Sequence, residues 1–415
     1  YLGQVLAYEQ KRAELGMFMT EPALDAILAA CTDIIDARES FYLVATFNDG
    51  VDSLPEIDQE AAEAYKSRNE QVVKGPFIDA FQTLHDGLKA LRGECRSPEG
   101  LWALGETGTA YFEYAMQQEG NNLLTVEETV ELLMNELFYM WSLYIQCIIE
   151  DPDAYEEVDL TSGNAETDLA LLESLTNRLL FPLPEHTITL NAVPEELEGQ
   201  LSAAAHVIPP IDVWQENEVL INPAKPDNEL LMTLAHEAYP GHMFQYVYQR
   251  ALTDTGLTQR VLHYGAYAEG WSQTANYIIA ISQNSYNAVY AELSFYGSMM
   301  FNAIMPAIVS IYVNYYAYNQ DAIRAFLQGL NIISEEYVDY YTDIYYSMAV
   351  EQPFYTFAYA TGYCQLAALM RDAEENMGEA YTLSEFVKAY LDLGPSYFNL
   401  VQERMDVWVD ENAPE

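Results

Sequence analysis

Two of the chain's six histidines fall within one heptapeptide, His236-Glu237-Ala238-Tyr239-Pro240-Gly241-His242. Imidazoles are metal ligands, and a carboxylate beside one can serve as a general base. A His-Glu pair at a helix end, with a second His further on, is how zinc peptidases present both. The spacing departs from the usual one. Histidines at i and i+4 lie about 40° apart around a helix of 3.6 residues per turn, whereas i and i+6 lie about 240° apart. A straight helix would point the two rings in different directions. Pro240 cannot donate a backbone hydrogen bond and Gly241 tolerates φ > 0. A break between Ala238 and Gly241 is therefore expected, swinging His242 back toward His236.

A third ligand is expected from a nearby helix. Glu269 fits, in Tyr264-Gly265-Ala266-Tyr267-Ala268-Glu269-Gly270-Trp271. The small residues at 265, 266, 268 and 270 let that helix approach another closely, and a lone acid there needs a partner, because burying an unpaired carboxylate is costly. Satisfied histidines and a paired Glu at a capped helix end are the competing reading for each residue alone. The combination points to a metal.

The elements that must position these groups are mostly helical. Residues 1–180 read as successive helices. Leu24, Ile27, Leu28 and Cys31 recur as one apolar face, and Val126–Ile149 repeats the pattern behind a capping box of Thr125 and Glu128. Gly105–Gly108 and Gly120-Asn121-Asn122 punctuate them. At about 181 the character changes. Thr187–Leu190 alternates like a strand, His206–Pro210 is extended, and Glu218–Asn222 reads as another strand. After Pro226 the chain returns to helix, with Leu230, Leu231 and Leu234 as the buried stripe of the metal helix over Asn228–Ala235, and it stays helical to about Val409. The expectation is a mainly α chain with a small β element before the metal helix. It has an N-terminal helical region at 1–180 and a metal-site region at 181–415, the two forming one continuous unit. Met299–Tyr318 is the most membrane-like stretch. Asn302, Pro306 and Asn314 interrupt it, and it reads as a kinked core helix.

Composition bounds the partners. The chain has 415 residues, a net charge of −47 and only 17 Lys+Arg, while half its residues are hydrophobic. So few cations exclude a phosphate-neutralising face, hence nucleic acid, and the apolar fraction excludes disorder. Cys31, Cys95, Cys147 and Cys364 form no CxxC pair and read as buried free thiols. The start at Tyr1 reads as a processed product, with any targeting signal upstream. The acidity makes neutral or basic peptides the easier substrates.

His-Glu-x-Tyr-Pro-Gly-His followed by Glu-Gly-Trp resembles the domain of unknown function 885 family, bacterial proteins grouped with the gluzincin metallopeptidases, many of them envelope lipoproteins. Pro209–Asp212 with the strand ending at Asn222 is similar to the family's segment before its metal helix. Ala358–Gly362 is similar to its Tyr-x-x-Gly motif, and Phe386 with Tyr390–Gly394 to its C-terminal region. The resemblance implies a large helical gluzincin-type domain, one Zn2+ per chain, a peptide substrate, and a cell-envelope or extracellular location with a possible lipid anchor preceding Tyr1. It implies His236, His242 and Glu269 as ligands, Glu237 as general base, and Tyr359, with Tyr363 as second choice, as oxyanion donor. Asn222, Tyr239 and His206 are the expected substrate-binding residues, Asn222 because it ends a strand whose edge could pair with an extended peptide. His263 lies near enough to Glu269 to support it. The chain departs from the pattern at Ser272, Thr274, Asn276 and Val387. Those positions motivate the alternative of a catalytically impaired, peptidase-like envelope binding protein. A metal-dependent hydrolase of another substrate is a third reading.

Overall fold

The computed structural model describes every residue except 154–159, 195–196, 200, 226–229, 253–255, 263, 283–287 and 415. The expected start of the metal helix at Asn228, and His263, lie outside the described residues. Two compact units are present, one built on Tyr1–Glu99 and the other on Gly100–Val193 with Leu197–Glu415.

The first unit carries α1 (Leu2–Glu14), α2 (Glu21–Asp36), α3 (Leu43–Asp52), α4 (Gln59–Val72) and α5 (Ile78–Ala90). Leu24, Leu28 and Cys31 of α2 are buried with Phe18, Leu84 and Leu88. Ile27, expected on the same face, is 38% exposed.

The second unit opens with α6 (Glu106–Glu119), α7 (Val126–Glu150) and α8 (Ala165–Leu179). The capping box of α7 forms as expected: the Glu128 N–H donates to Thr125 Oγ1 at 3.2 Å and Thr125 N–H donates to Glu128 Oε2 at 2.8 Å. The change at 181 is the entry into a three-stranded sheet of β1 (Thr187–Ala192), β2 (Ala204–Val207) and β3 (Glu216–Ile221), in spatial order β1-β3-β2. Strand β3 pairs parallel with β1, from Thr187↔Glu216 to Ala192↔Ile221, and antiparallel with β2, from Ala204↔Ile221 to Val207↔Glu218. Strand β3, which precedes α9, is thus central and has no open edge; β1 and β2 are the edge strands.

Helices α9 (Leu230–Glu237), α10 (His242–Ala251), α11 (Leu257–Val261) and α12 (Gly265–Ser282) follow, then α13 (Ala288–Ser298) and α14 (Met305–Asn314). Between the last two, the ladder widens into a π-turn at Met299–Ile304. Pro306 offers no N–H to the Asn302 carbonyl and crowds it, so the chain absorbs the proline in a wider turn. By length and composition Val126–Glu150 and Val289–Asn314 could each cross a membrane, but 72% of the apolar window in the second is buried in the protein core, as expected for this stretch. The chain ends with α15 (Gln320–Leu330), α16 (Glu335–Glu351), α17 (Phe357–Met377), α18 (Leu383–Leu393) and α19 (Phe398–Asn412).

Two cores hold this unit. Leu133, Leu137 and Met140 of α7 pack with Ile304, Ile308 and Tyr363. Leu231 and Leu234 of α9 pack with Phe244, Trp271, Leu366 and Tyr390. Each fully buried Leu or Phe contributes roughly 1.5–3 kcal/mol. The four cysteines are free thiols, three of them buried.

Candidate metal centre

The expected break occurs. Helix α9 ends at Glu237 and α10 begins at His242. The Ala238 N–H still donates to Leu234 O at 2.8 Å, and the Phe244 N–H closes the turn on Ala238 O at 3.1 Å. Only glycine fits at 241, because a Cβ there would lie 1.7 Å from the His236 carbonyl oxygen. This steric demand, not a positive φ, fixes the residue: its φ is −75°. The two imidazoles come to 4.7 Å between centroids, edge to face at 88°.

Glu269 meets them from α12. Its Oε2 lies 3.3 Å from Nε2 of His236 and 3.3 Å from Nε2 of His242. That oxygen is buried and makes no hydrogen bond, although it touches two ring nitrogens. One ligand atom from each of the three residues lies within 4.8 Å of the others. Two imidazoles and a carboxylate, converging on one point with an orphaned oxygen, fit the donor set of zinc. Burial is the largest single influence on the Glu269 carboxyl and would raise its pKa. The two imidazoles outweigh it and hold the group well below the usual carboxylate range, in its ligand form. Burial likewise pulls His242 down, but Glu269 and Glu237 leave it raised overall.

Glycine sets the position of Glu269. Helices α12 and α17 cross with Gly270 against Gly362: a Cβ on Gly270 would lie 2.4 Å from the Gly362 carbonyl carbon, and one on Gly362 would lie 2.1 Å from the Ala266 carbonyl oxygen. The crossing brings Tyr359, one turn before Gly362, over the site, its ring stacked at 6.5 Å on His236. Burial first, then the charges of Glu269 and Glu237, push the Tyr359 hydroxyl above its usual range, so it stays protonated at neutral pH. The indole of Trp271 ties the two halves together. Its Nε1 donates to Pro240 O at 2.9 Å and to Gly241 O at 3.2 Å, pinning the turn that delivers His242. Trp271→Phe keeps the ring and removes the donor. Metal affinity is expected to fall about 10–100-fold, as for other partners behind metal ligands, measured by competition with a chromogenic chelator.

Glu237 is positioned by β2. Its Oε2 accepts the His206 N–H at 2.9 Å. It also lines two spaces. A cavity of about 370 Å³ is lined by His206, Glu237, His242, Gln245, Arg250 and Glu269, among others. A larger space of about 920 Å³ is lined by Glu237, His236, Asn276, Tyr355 and Tyr359, among others.

The remaining expected site residues divide. His206 lines the smaller cavity, with Nε2 3.2 Å from Asn217 Oδ1, and burial pulls its pKa down to about 4, leaving a neutral ring. Asn222 is buried and turned inward: its amide donates to Glu198 O and Leu201 O, both at 2.8 Å, and its Oδ1 accepts from Ala224 N–H. It braces a loop and has no group left for a substrate. Tyr239 is buried and its hydroxyl bonds to His186 Nε2. Tyr363 sits among Phe295, Glu136 and Arg371, lining a separate small cavity. Among the departing positions, Val387 is a core residue and Thr274 donates to Gly270 O at 2.8 Å. Ser272 Oγ and Asn276 Oδ1 are buried without a hydrogen bond. Sequence reasoning missed the indole anchor, the Gly270–Gly362 contact, the His206 N–H and the α10 side chains lining the smaller cavity.

Residues 154–405 match the profile of a family described as "Bacterial protein of unknown function (DUF885)". The chain belongs to that family. The matched span contains the three clustered side chains, Glu237 and Tyr359. No curated protein matches the chain. Among solved structures, it is similar to a "putative lipoprotein" from Colwellia psychrerythraea. The TM-score is 0.81 at 16% identity, over 99% of this chain and 74% of the other. It is also similar to a "putative lipoprotein of unknown function" from Shewanella oneidensis. There the TM-score is 0.58 at 13% identity, over 91% and 73% of the two chains. At these identities the likeness concerns the fold.

Proposed function

We propose that this protein is a zinc-dependent, gluzincin-type peptidase of the cell envelope, with His236, His242 and Glu269 as the ligands of a single ion. The observation that carries the reading is the Glu269 oxygen, buried, without a hydrogen bond, and 3.3 Å from both imidazole nitrogens. A Zn2+ held there would polarise a carbonyl and acidify a water. Glu237 is the base. It adjoins the first ligand in sequence, it is not part of the clustered triad, and the His206 N–H orients one of its oxygens, leaving the other to take a proton and return it to a leaving amine. The protonated Tyr359 hydroxyl is the donor for a developing oxyanion. A peptide laid along β2 would pass Glu237, which lines both cavities. The "putative lipoprotein" description of both solved relatives supports an envelope location, with a lipid anchor as the tether.

Metal content of the purified chain, measured together with digestion of a peptide library, tests this. One zinc per chain with cleavage is the expected result. Zinc without cleavage supports instead an impaired, peptide-binding relative, and a chain that takes up no zinc removes the proposal.

A further inference from the structure

We infer that the smaller cavity is a carboxylate subsite, and that the substrates are peptides presenting a carboxylate within a few residues of the scissile bond. This rests on the peptidase reading for the identity of the ligand as a peptide.

Helix α10 runs along the cavity from its first residue. His242, Gln245, Tyr246, Gln249 and Arg250 all line it, at spacings of three, four, seven and eight residues, which is one face of a helix. The ligand histidine and the arginine are therefore about 12 Å apart along the axis, with Gln245 between them. Arg250 is the one Lys or Arg among the described lining residues, in a chain of net charge −47. Its guanidinium carbon lies 4.9 Å over the Tyr246 ring, and the Tyr246 hydroxyl donates to Pro209 O at 3.0 Å. The cation is thus laid against a fixed plane rather than swung into solvent.

Gln245 supplies the independent observation. It is 5% exposed, lines the cavity, and its Nε2 has no hydrogen-bond partner. The neighbouring amides are engaged: Gln249 Nε2 donates to the Tyr267 hydroxyl at 3.2 Å and Gln259 Nε2 to Leu393 O at 2.9 Å. A buried donor without an acceptor carries a desolvation cost that an acceptor-bearing ligand removes. An amide donor and a guanidinium on one helix face, leading away from the metal ligands, match a carboxylate better than any neutral or cationic group.

Dansyl-Ala-Phe-Ala as free acid, its C-terminal amide, and dansyl-Ala-Glu-Ala amide serve as probes, with anisotropy read on the zinc-loaded Glu237→Gln chain. The free acid is expected to bind about tenfold or more tighter than the amide. Arg250→Gln is expected to erase that difference, and Gln245→Leu to reduce it. If the Glu-containing amide binds as well as the free acid, the carboxylate comes from a side chain; if it binds like the plain amide, it comes from the chain terminus. Equal binding of acid and amide, or no binding of the acid, overturns the subsite. Cleavage by the native chain without an acid preference also overturns it and leaves hydrolysis standing. An acid preference without cleavage keeps the subsite and removes hydrolysis.

Discussion

Glu237→Gln is expected to keep its zinc and lose peptide cleavage by about two to four orders of magnitude, the usual worth of a positioned general base. The amide retains an oxygen for the His206 N–H, so the local geometry survives while the proton acceptor is gone. The separation of effects is the informative part. Turnover and metal content are measured on the same preparation, and substrate affinity is read independently of both. Loss of zinc in this variant would make Glu237 a ligand, and unchanged turnover would remove it from the base role.

Glu269→Ala is expected to release the metal. Binding free energies of structural zinc sites are on the order of 10–16 kcal/mol, so losing one of three protein ligands forfeits about 4 kcal/mol, or nearly a thousandfold in affinity. The deletion also leaves two imidazoles facing an empty space behind a Gly–Gly crossing that cannot close further. Glu269→Gln is the companion variant. It keeps the volume and loses the charge, so weak zinc binding with an unchanged far-UV spectrum assigns the effect to ligation and not to folding. Zinc retained at one per chain in both variants would exclude Glu269 as a ligand.

The convergence of His236, His242 and Glu269 was legible because its signals are local. Pro240 lacks a donor and Gly241 lacks a Cβ, so a break between two histidines at an unhelical spacing follows from the residues alone. Glu269 stood out as a lone acid among small and aromatic neighbours. What stayed hidden depends on pairing across the chain. The strand before the metal helix alternates no differently whether it is central or at an edge, and only the order β1-β3-β2 places β2 beside Glu237. Asn222 was misread for that reason: the strand it follows is paired on both sides, and its amide is consumed by the carbonyls of Glu198 and Leu201. Tyr359 and Tyr363 are one turn apart on α17, yet one overlooks His236 while the other is sunk against Phe295. No spacing rule says which side of a helix buried on most of its circumference meets the site. Gln245 and Arg250 were within reach, since three and eight residues after His242 share its face. Nothing in the sequence states that a cavity runs along that face.

The Gly270–Gly362 crossing fixes a tolerance. Backbone touching backbone is the closest approach two helices can make, and it contains no side chain that could rotate, shrink or swell. Elsewhere in this tyrosine-rich interior, neighbours can exchange volume through rotamer changes. Here the separation of the two helices, and with it the placement of the Glu269 carboxylate beneath the Tyr359 phenol, is inherited from main-chain dimensions. Sequence drift around the site can therefore reshape what enters either cavity while acid and phenol keep their spacing.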